Sequence, residues 1–399
     1  MNKIEVNQLT KIFGSNPKLG LEKLNQGKSK DSILKEYGQT VGVNQASFHV
    51  EAGEFFVIMG LSGSGKSTLI RLVNRLIEPT NGEVLIDGDD ITKMDKQTLI
   101  QTRRQKLGMV FQNFGLLPHR TVLANVEYGL ELQGVEKEER QRKAQKAIED
   151  VGLTGYENSY PKQLSGGMQQ RVGLARALAN DSDILLMDEA FSALDPLIRK
   201  EMQDELLNLQ RKLGKTIIFI THDLDEALKL GDRIAIMKDG QIVQIGTSDD
   251  ILENPINEYV SNFVKDVDRS KVLEASQVMR KPEVVTTYKN GPRTAIRKME
   301  EVGASSIFVV DKDDNFKGLL TIDDAIRSHK EEIPMEEVLI DNVYSTSPDT
   351  QLNDLIGIAA ETKYPIAVLD DGKLLGIISR VSILSGLVLG KEKDEVTTS

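Results

Sequence analysis

Gly60-Leu61-Ser62-Gly63-Ser64-Gly65-Lys66-Ser67 spaces two glycines, a lysine and a hydroxyl as G-x-x-x-x-G-K-[ST]. The run 54–59 before it, apolar after Glu54, reads as a strand, and residues 66–77 after it have helical spacing. That context makes the spacing a phosphate cradle. Glycines let the chain curl until backbone N–H groups point inward at phosphate oxygens. The helix start adds the positive end of its dipole. Gly60, Ser62, Gly63, Ser64 and Gly65 build the cradle, and Lys66 meets β- and γ-phosphates. The Ser67 hydroxyl is a Mg²⁺ ligand, and Thr68 reaches the α-phosphate. The plain alternative is a glycine-rich turn that binds nothing. Strand, loop, lysine and serine in this order argue against it.

A second run, Ile184-Leu185-Leu186-Met187, ends in Asp188-Glu189. A buried strand that delivers two acids beside a phosphate loop has a chemical reading. Asp188 holds Mg²⁺, and Glu189 polarises the attacking water as general base. An isolated match of this kind would be an ordinary strand ending in solvated acids.

Leu164-Ser165-Gly166-Gly167-Met168-Gln169-Gln170-Arg171 narrows the choice. With this segment the chain resembles the ATP-binding-cassette (ABC) ATPases, whose signature reads L-S-G-G-Q; Met168 stands where Gln is usual. The resemblance covers about residues 1–250. It implies that Ser165, Gly166 and Gly167 face the γ-phosphate held by a second copy, with ATP sandwiched in a homodimer. It also implies that Gln112, in Val110-Phe111-Gln112, attends Mg²⁺ and water. Asp195, in Ser192-Ala193-Leu194-Asp195, crosses the dimer, and His222 contacts the γ-phosphate. Phe13 is the expected aromatic that stacks on adenine, with a core residue as the alternative.

Relatives in this superfamily that act on nucleic acid or ribosomes carry long coiled-coil or zinc insertions, which this chain lacks. The apolar loop after Gln112, through Phe114, Leu116 and Leu117, resembles the surface on which importer ATPases receive a membrane subunit; exposed apolar patches mark partner sites. Leu72-Val73-Asn74-Arg75-Leu76-Ile77-Glu78-Pro79-Thr80 and the segment Met187 to Arg199 are similar to the ATPase subunits of glycine betaine/proline importers. Those proteins also carry an early insertion and a C-terminal pair of CBS domains. The implied machine has integral membrane permease subunits and a substrate-binding protein or domain. The implied location is the cytoplasmic face of the cell membrane. Another small solute, such as an amino acid, is the alternative cargo. A soluble ABC ATPase acting on nucleic acid or ribosomes is the rival function.

Residues 266–399 hold an internal repeat. Ser306-Ile307-Phe308-Val309-Val310-Asp311 and then Gly318-Leu319-Leu320-Thr321 find counterparts in Pro365-Ile366-Ala367-Val368-Leu369-Asp370 and Gly376-Ile377-Ile378-Ser379. Helical stretches precede (294–302, 352–362) and follow (322–328, 381–387) each pair of strands. The repeat resembles a tandem CBS module, each half β-α-β-β-α. Thr321 and Asp324 fit the T-x-x-D that grips a ribose, whereas the second copy reads Ser379-Arg380-Val381-Ser382, without the acid. The resemblance implies an adenine nucleotide, with cyclic di-AMP as the preferred ligand. A dimerisation brace without ligand is the alternative.

The elements that must position these residues follow from pattern. Short apolar runs alternate with helical stretches over residues 1–265, which predicts a mostly parallel, helix-covered α/β sheet with a helical subdomain. The turn Asp239-Gly240 between apolar runs predicts a hairpin. Residues 15–40 are polar and partly helical, and they read as a surface excursion between neighbouring strands. Two CBS units over 274–330 and 335–390 and a charged, disordered tail, 391–399, complete the organisation. The chain has 399 residues, 39% hydrophobic and 28% charged, as a globular protein requires. With no Cys and four His, thiolate zinc sites and disulfides are excluded. The net charge of −11 disfavours general binding to nucleic acid. No run approaches the ~18–20 apolar residues that cross a bilayer, and the polar start, Met1 to Phe13, lacks an export signal's apolar stretch. The cluster Arg140, Arg142, Lys143 and Lys146, and a second one at Arg103, Arg104 and Lys106, are candidate contacts for anionic lipid. Glu136, Glu138 and Glu139 are their alternative partners.

Overall fold

Phe55–Met59 is apolar without alternation, and every residue of it is buried, as a strand covered on both faces must be. The computed structural model describes residues 2–112, 114–265, 268–287 and 289–388. It places this strand in the first of two compact units, Met1–Asp266 and Val267–Ser399. The strands of the first unit are β1 (Asn2–Phe13), β2 (Thr40–Glu51), β3 (Phe55–Met59), β4 (Asn81–Ile86), β5 (Asp89–Asp90), β6 (Leu107–Val110), β7 (Ile184–Asp188), β8 (Thr216–Thr221), β9 (Arg233–Lys238) and β10 (Gln241–Gly246). One sheet runs β10-β9-β3-β8-β7-β6. Its pairs are parallel except β9–β10. The other sheet, β2-β1-β4-β5, is antiparallel. Their shared core includes Ile58, Leu69 and Ile70, and Phe48 stacks on Phe56 with ring centroids 5.1 Å apart.

The strand order decides where chemistry gathers. β3, β8, β7 and β6 are parallel neighbours, so their C-terminal ends open on one edge, where α/β sheets bind ligands. Gly60, His222, Glu189 and Gln112 follow those four ends. The expected hairpin is present, with Asp239 at φ 53° and Gly240 at φ 84° in the turn.

The helix read over 66–77 is shorter, Lys66–Val73. It stops because Arg75 turns to φ 52° and sends its guanidinium to the carbonyls of Ile91 and Met94. The Asn74 carboxamide meanwhile accepts from Leu76 N at 3.0 Å. The excursion between β1 and β2 forms two helices, Pro17–Asn25 and Lys30–Tyr37, capped by Asn16 and Ser29. It has a small core of its own, in which Ile33 packs with Ile12, Val41, Leu21 and Leu24. The helical subdomain comprises Val122–Val126, Tyr128–Leu132, Lys137–Asp150 and the signature helix Gly166–Ala179. Within it, Arg140 pairs with Glu127, Arg142 and Lys143 with Glu139, and Lys146 with Asp150. In the second basic cluster Lys106 pairs with Asp87, and Arg103 donates to the carbonyl of Asn74.

The second unit has β11 (Val284–Thr286), β12 (Ser306–Val310), β13 (Phe316–Thr321), β14 (Ser345–Thr346), β15 (Ile366–Asp370) and β16 (Lys373–Ile378). They form two three-stranded sheets, β11-β12-β13 and β14-β15-β16. Helices Pro292–Glu301 and Ile322–Glu331 complete the first β-α-β-β-α repeat, and Leu352–Glu361 and Arg380–Val388 the second. The repeats pack through Phe308, Leu319 and Ala367, and Phe316 N donates to Gly372 O at 3.0 Å. The tail 391–399 lies outside the described residues.

Candidate nucleotide site

The phosphate loop owes its shape to close backbone approaches. Gly60 has φ 152°, and a Cβ there would sit 2.3 Å from the carbonyl oxygen of Met237. Gly65 has φ 104°, and its Cβ would sit 2.4 Å from the carbonyl oxygen of Gly42. No other residue type fits either position. Lys66 is buried at the centre, its ammonium donating to Gly60 O at 2.7 Å and Leu61 O at 3.1 Å. Burial pushes that ammonium below the ordinary lysine range, while Glu189 and Asp188 pull it back. The hydroxyl of Ser64 is buried without a partner among the described residues.

A cavity of about 470 Å³ opens here, lined by Phe13, Ser62, Gly63, Gly65, Lys66, Ser67, Thr68 and Glu189 among others. The Ser67 hydroxyl donates to Asp188 Oδ1 at 2.9 Å, and the far carboxylate oxygen lies 3.5 Å from Arg71. These two hard oxygen donors suit Mg²⁺, which keeps waters and takes one or two protein ligands beside phosphate. Among the described residues no group of three or more His, Asp or Glu could hold a metal by itself.

Gln112, Glu189 and His222, distant in sequence, come together. Gln112 Nε2 donates to Glu189 Oε2 at 3.1 Å and to Ser192 Oγ at 3.3 Å. His222 Nδ1 lies 3.7 Å from the same carboxylate oxygen. Glu189 sits at φ 46°, a region non-glycine residues seldom occupy and one that clusters at functional sites. Its backbone is held on both sides: Glu189 N donates to Ile220 O at 3.1 Å, and Ser192 Oγ donates to Glu189 O at 2.9 Å.

Ser165, Gly166, Gly167 and Asp195 do not line this cavity. Ser165 caps the signature helix, accepting from Met168 N at 3.3 Å. A Cβ on Gly167 would lie 2.5 Å from Ile198 Cγ2, so the signature helix packs tightly on the helix Pro196–Leu213. Asp195 caps that second helix, accepting from Ile198 N at 3.1 Å. Arg176, missed in the sequence, is half-buried and ties the signature helix to the loop after Gln112 through Gly115 O at 2.6 Å and Phe114 O at 3.0 Å. Nothing in its spacing signals that role. Asn113 of the loop lies outside the described residues; Leu116 and Leu117 are half-buried rather than exposed, and the Asn125 carboxamide holds Leu117 at both N and O. The inserted helix Lys30–Tyr37 lies on the surface as expected, with only Ile33 buried, and its Lys30, Asp31 and Leu34 also line the cavity.

In the second unit Thr321 caps the helix Ile322–Glu331 and donates to Asp324 Oδ2 at 2.6 Å. Ser379 and Ser382 repeat the pairing without a carboxylate, 2.9 Å apart.

Residues 43–192 match the family model described as ABC transporter. Residues 275–331 and 335–389 match the CBS domain model. The glycine betaine/carnitine transport ATP-binding protein of Listeria monocytogenes serotype 1/2a (strain 10403S) is 58% identical, over 97% of this chain and 98% of that protein. The glycine betaine transport ATP-binding protein of Bacillus subtilis (strain 168) is 56% identical over 98% and 93%. The glycine betaine/proline betaine transport system ATP-binding protein of Escherichia coli (strain K12) is 49% identical over 96% and 97%. An ATP-binding cassette solved as a dimer in a post-hydrolysis state with ADP and Pi is 34% identical, covering 61% of this chain and 98% of its own, with a TM-score of 0.52. No helix of the described residues is long and apolar enough to cross a membrane. A phosphate loop with a Mg²⁺-suited oxygen pair, joined to a tandem CBS module, thus has near-full-length relatives, and the chain belongs to the ATP-binding proteins of ABC transporters, the subunits that hydrolyse ATP with Mg²⁺.

Proposed function

We propose that the chain energises import of a quaternary amine such as glycine betaine, working as a homodimer on the cytoplasmic face of the cell membrane, bound to permease subunits and served by a substrate-binding protein or domain. The names of the near-full-length relatives support the cargo. The observation that carries the engine is the convergence of Gln112 and His222 on one carboxylate oxygen of Glu189, beside Lys66 and the Ser67–Asp188 pair.

Roles follow from that geometry. Lys66, Thr68 and the loop N–H groups neutralise and orient the phosphates. Ser67 and Asp188, with Gln112, would hold Mg²⁺, which would supply neutralisation of phosphate charge. Glu189 takes the proton of a water as its oxygen bonds to the γ-phosphorus. The bond from that phosphorus to the ADP oxygen breaks, and ADP and phosphate leave. Gln112 and His222 hold the Glu189 carboxylate in line; Gln112 attends the water and His222 contacts the γ-phosphate. Ser165, Gly166, Gly167 and Asp195 complete the partner copy's site, which accords with their position outside this chain's own cavity. The loop from Phe111 through Leu117 meets the permease, and Arg176 joins it to the signature helix, so that closure around ATP moves the membrane subunit.

The CBS module binds an adenine nucleotide, with cyclic di-AMP as its regulatory ligand. Thr321 and Asp324 then exchange their mutual hydrogen bond for a ribose. Contact of the basic helix Lys137–Asp150 with anionic lipid would have to displace carboxylates already paired with Arg140, Arg142, Lys143 and Lys146, so it has no part in this reading.

The test is ATP hydrolysis by the chain with its permease in lipid vesicles, with and without glycine betaine. Stimulation by betaine that vanishes in Lys66→Ala supports engine and cargo together. Hydrolysis indifferent to betaine, proline and related solutes refutes the cargo and leaves the engine standing.

A further inference from the structure

The inserted helix Lys30–Tyr37 has two faces with different work. Ile33 is fully buried in the small core with Ile12 and Val41. Lys30 and Leu34, one turn apart and therefore on one face, line the cavity of the phosphate loop instead. Lys30 is anchored there: its ammonium lies 2.5 Å from Asp239 Oδ1. Asp239 belongs to the hairpin turn whose Gly240 N donates to Ser64 O at 2.9 Å. The helix is thus pinned to the same turn that supports the phosphate loop, and its register against the cavity is set.

Leu34 is 49% exposed and Phe13 is 38% exposed, though both line the cavity. Phe13 rests against the backbone of Gly42, where a Cβ would lie only 2.7 Å from its Cε2. Thr68, at the head of the phosphate-loop helix, is within reach of the same spot, its Cγ2 3.5 Å away. Two apolar side chains therefore line one cavity that is continuous with a phosphate cradle. A flat apolar group attached to a polyphosphate is the ligand that uses both. Burying the two side chains against such a group removes apolar area from water at a favourable free energy.

We propose that the inserted helix is the outer wall of the base site: the adenine of ATP sits between Phe13 and Leu34, with Lys30 fixing the wall through Asp239. This rests on the reading of the loop as a nucleotide site and deepens it by giving the insertion a binding role.

The experiment uses the full chain and two probes with Mg²⁺, ADP and inorganic tripolyphosphate, in titration calorimetry. Tripolyphosphate reports the phosphate cradle without a base. Leu34→Ala is expected to weaken ADP roughly 3- to 10-fold, as partial loss of one apolar contact implies, and to leave tripolyphosphate unchanged. Lys66→Ala is expected to lose both probes; if it retains both, the nucleotide-site reading itself fails. Because the native chain has no Trp, a Leu34→Trp variant gives a second readout. Its emission should respond to ADP and ignore tripolyphosphate. If Lys66→Ala loses both probes while Leu34→Ala binds ADP as tightly as the native chain, the wall is refuted and the cradle stands. An emission from Leu34→Trp that is indifferent to ADP refutes it equally.

Discussion

Replacing Glu189 by Gln tests the proposed hydrolysis at its centre. The substitution keeps shape and volume and removes only the capacity to take a proton. The backbone restraints on this residue, from Ile220 O and the Ser192 hydroxyl, do not involve the carboxylate. The amide oxygen can still accept from Gln112 Nε2, 3.1 Å away in the native chain. Binding of Mg²⁺ATP should therefore be preserved, since Lys66, Ser67 and Asp188 are untouched. General base catalysis contributes about 10²- to 10⁴-fold, which is about 3–5 kcal/mol of barrier. Single-turnover phosphate release should slow by that factor, with no rise in the ATP concentration needed for half-saturation. Because release of the closed pair depends on hydrolysis in this scheme, sedimentation with ATP should show an accumulated dimer. Hydrolysis at the native rate would refute the assignment of Glu189. A loss of ATP affinity as large as the loss of rate would show that the carboxylate binds rather than reacts.

Gly42→Val places a branched side chain where a Cβ already lies 2.7 Å from the Phe13 ring. ADP affinity in calorimetry should fall while tripolyphosphate binding persists. Glu226 is buried, and burial is the main cause that raises its pKa above the ordinary carboxylate value. The folded state then holds its proton more tightly than the unfolded one, and stability is lost as pH rises through that window. Glu226→Gln, which keeps an acceptor for Gln203 Nε2 (3.0 Å from the native carboxylate), should raise Tm at pH 8 and change it little at pH 4. Asp311 behaves in the opposite sense. The Asn315 carboxamide, first among several donors, holds its carboxylate well below the usual range. Its contribution is present above the ordinary carboxylate pKa and disappears as pH falls below it. The Tm difference between the native chain and Asp311→Ala should be full at pH 7 and shrink below about pH 4.

Local physics made part of this protein readable without coordinates. The phosphate loop is a contiguous segment, and its motif is legible even though the carbonyls its glycines make room for, Met237 O and Gly42 O, belong to two other strands. A strand, a curl and a helix start are enough to recognise it. The acids at the end of β7 and the turn at Asp239-Gly240 are legible for the same reason, as is the duplicated strand pattern in the second unit, because short-period patterns report on short-range structure. What required the tertiary structure is whatever depends on which strands are neighbours. Nothing between Gln112, Glu189 and His222 in sequence brings them together; the order β3-β8-β7-β6 does, by opening four parallel strand ends on one edge. The early stop of the helix at Val73 depends on Arg75 reaching carbonyls near Met94, a contact that helical spacing over 66–77 does not encode. The inserted helix shows the same limit. Its polar sequence reads as surface, which it is, but that Lys30 and Leu34 face the cavity is settled by the packing of Ile33 beneath it. Periodicity assigns a face to a helix, whereas what that face meets is decided by the rest of the chain.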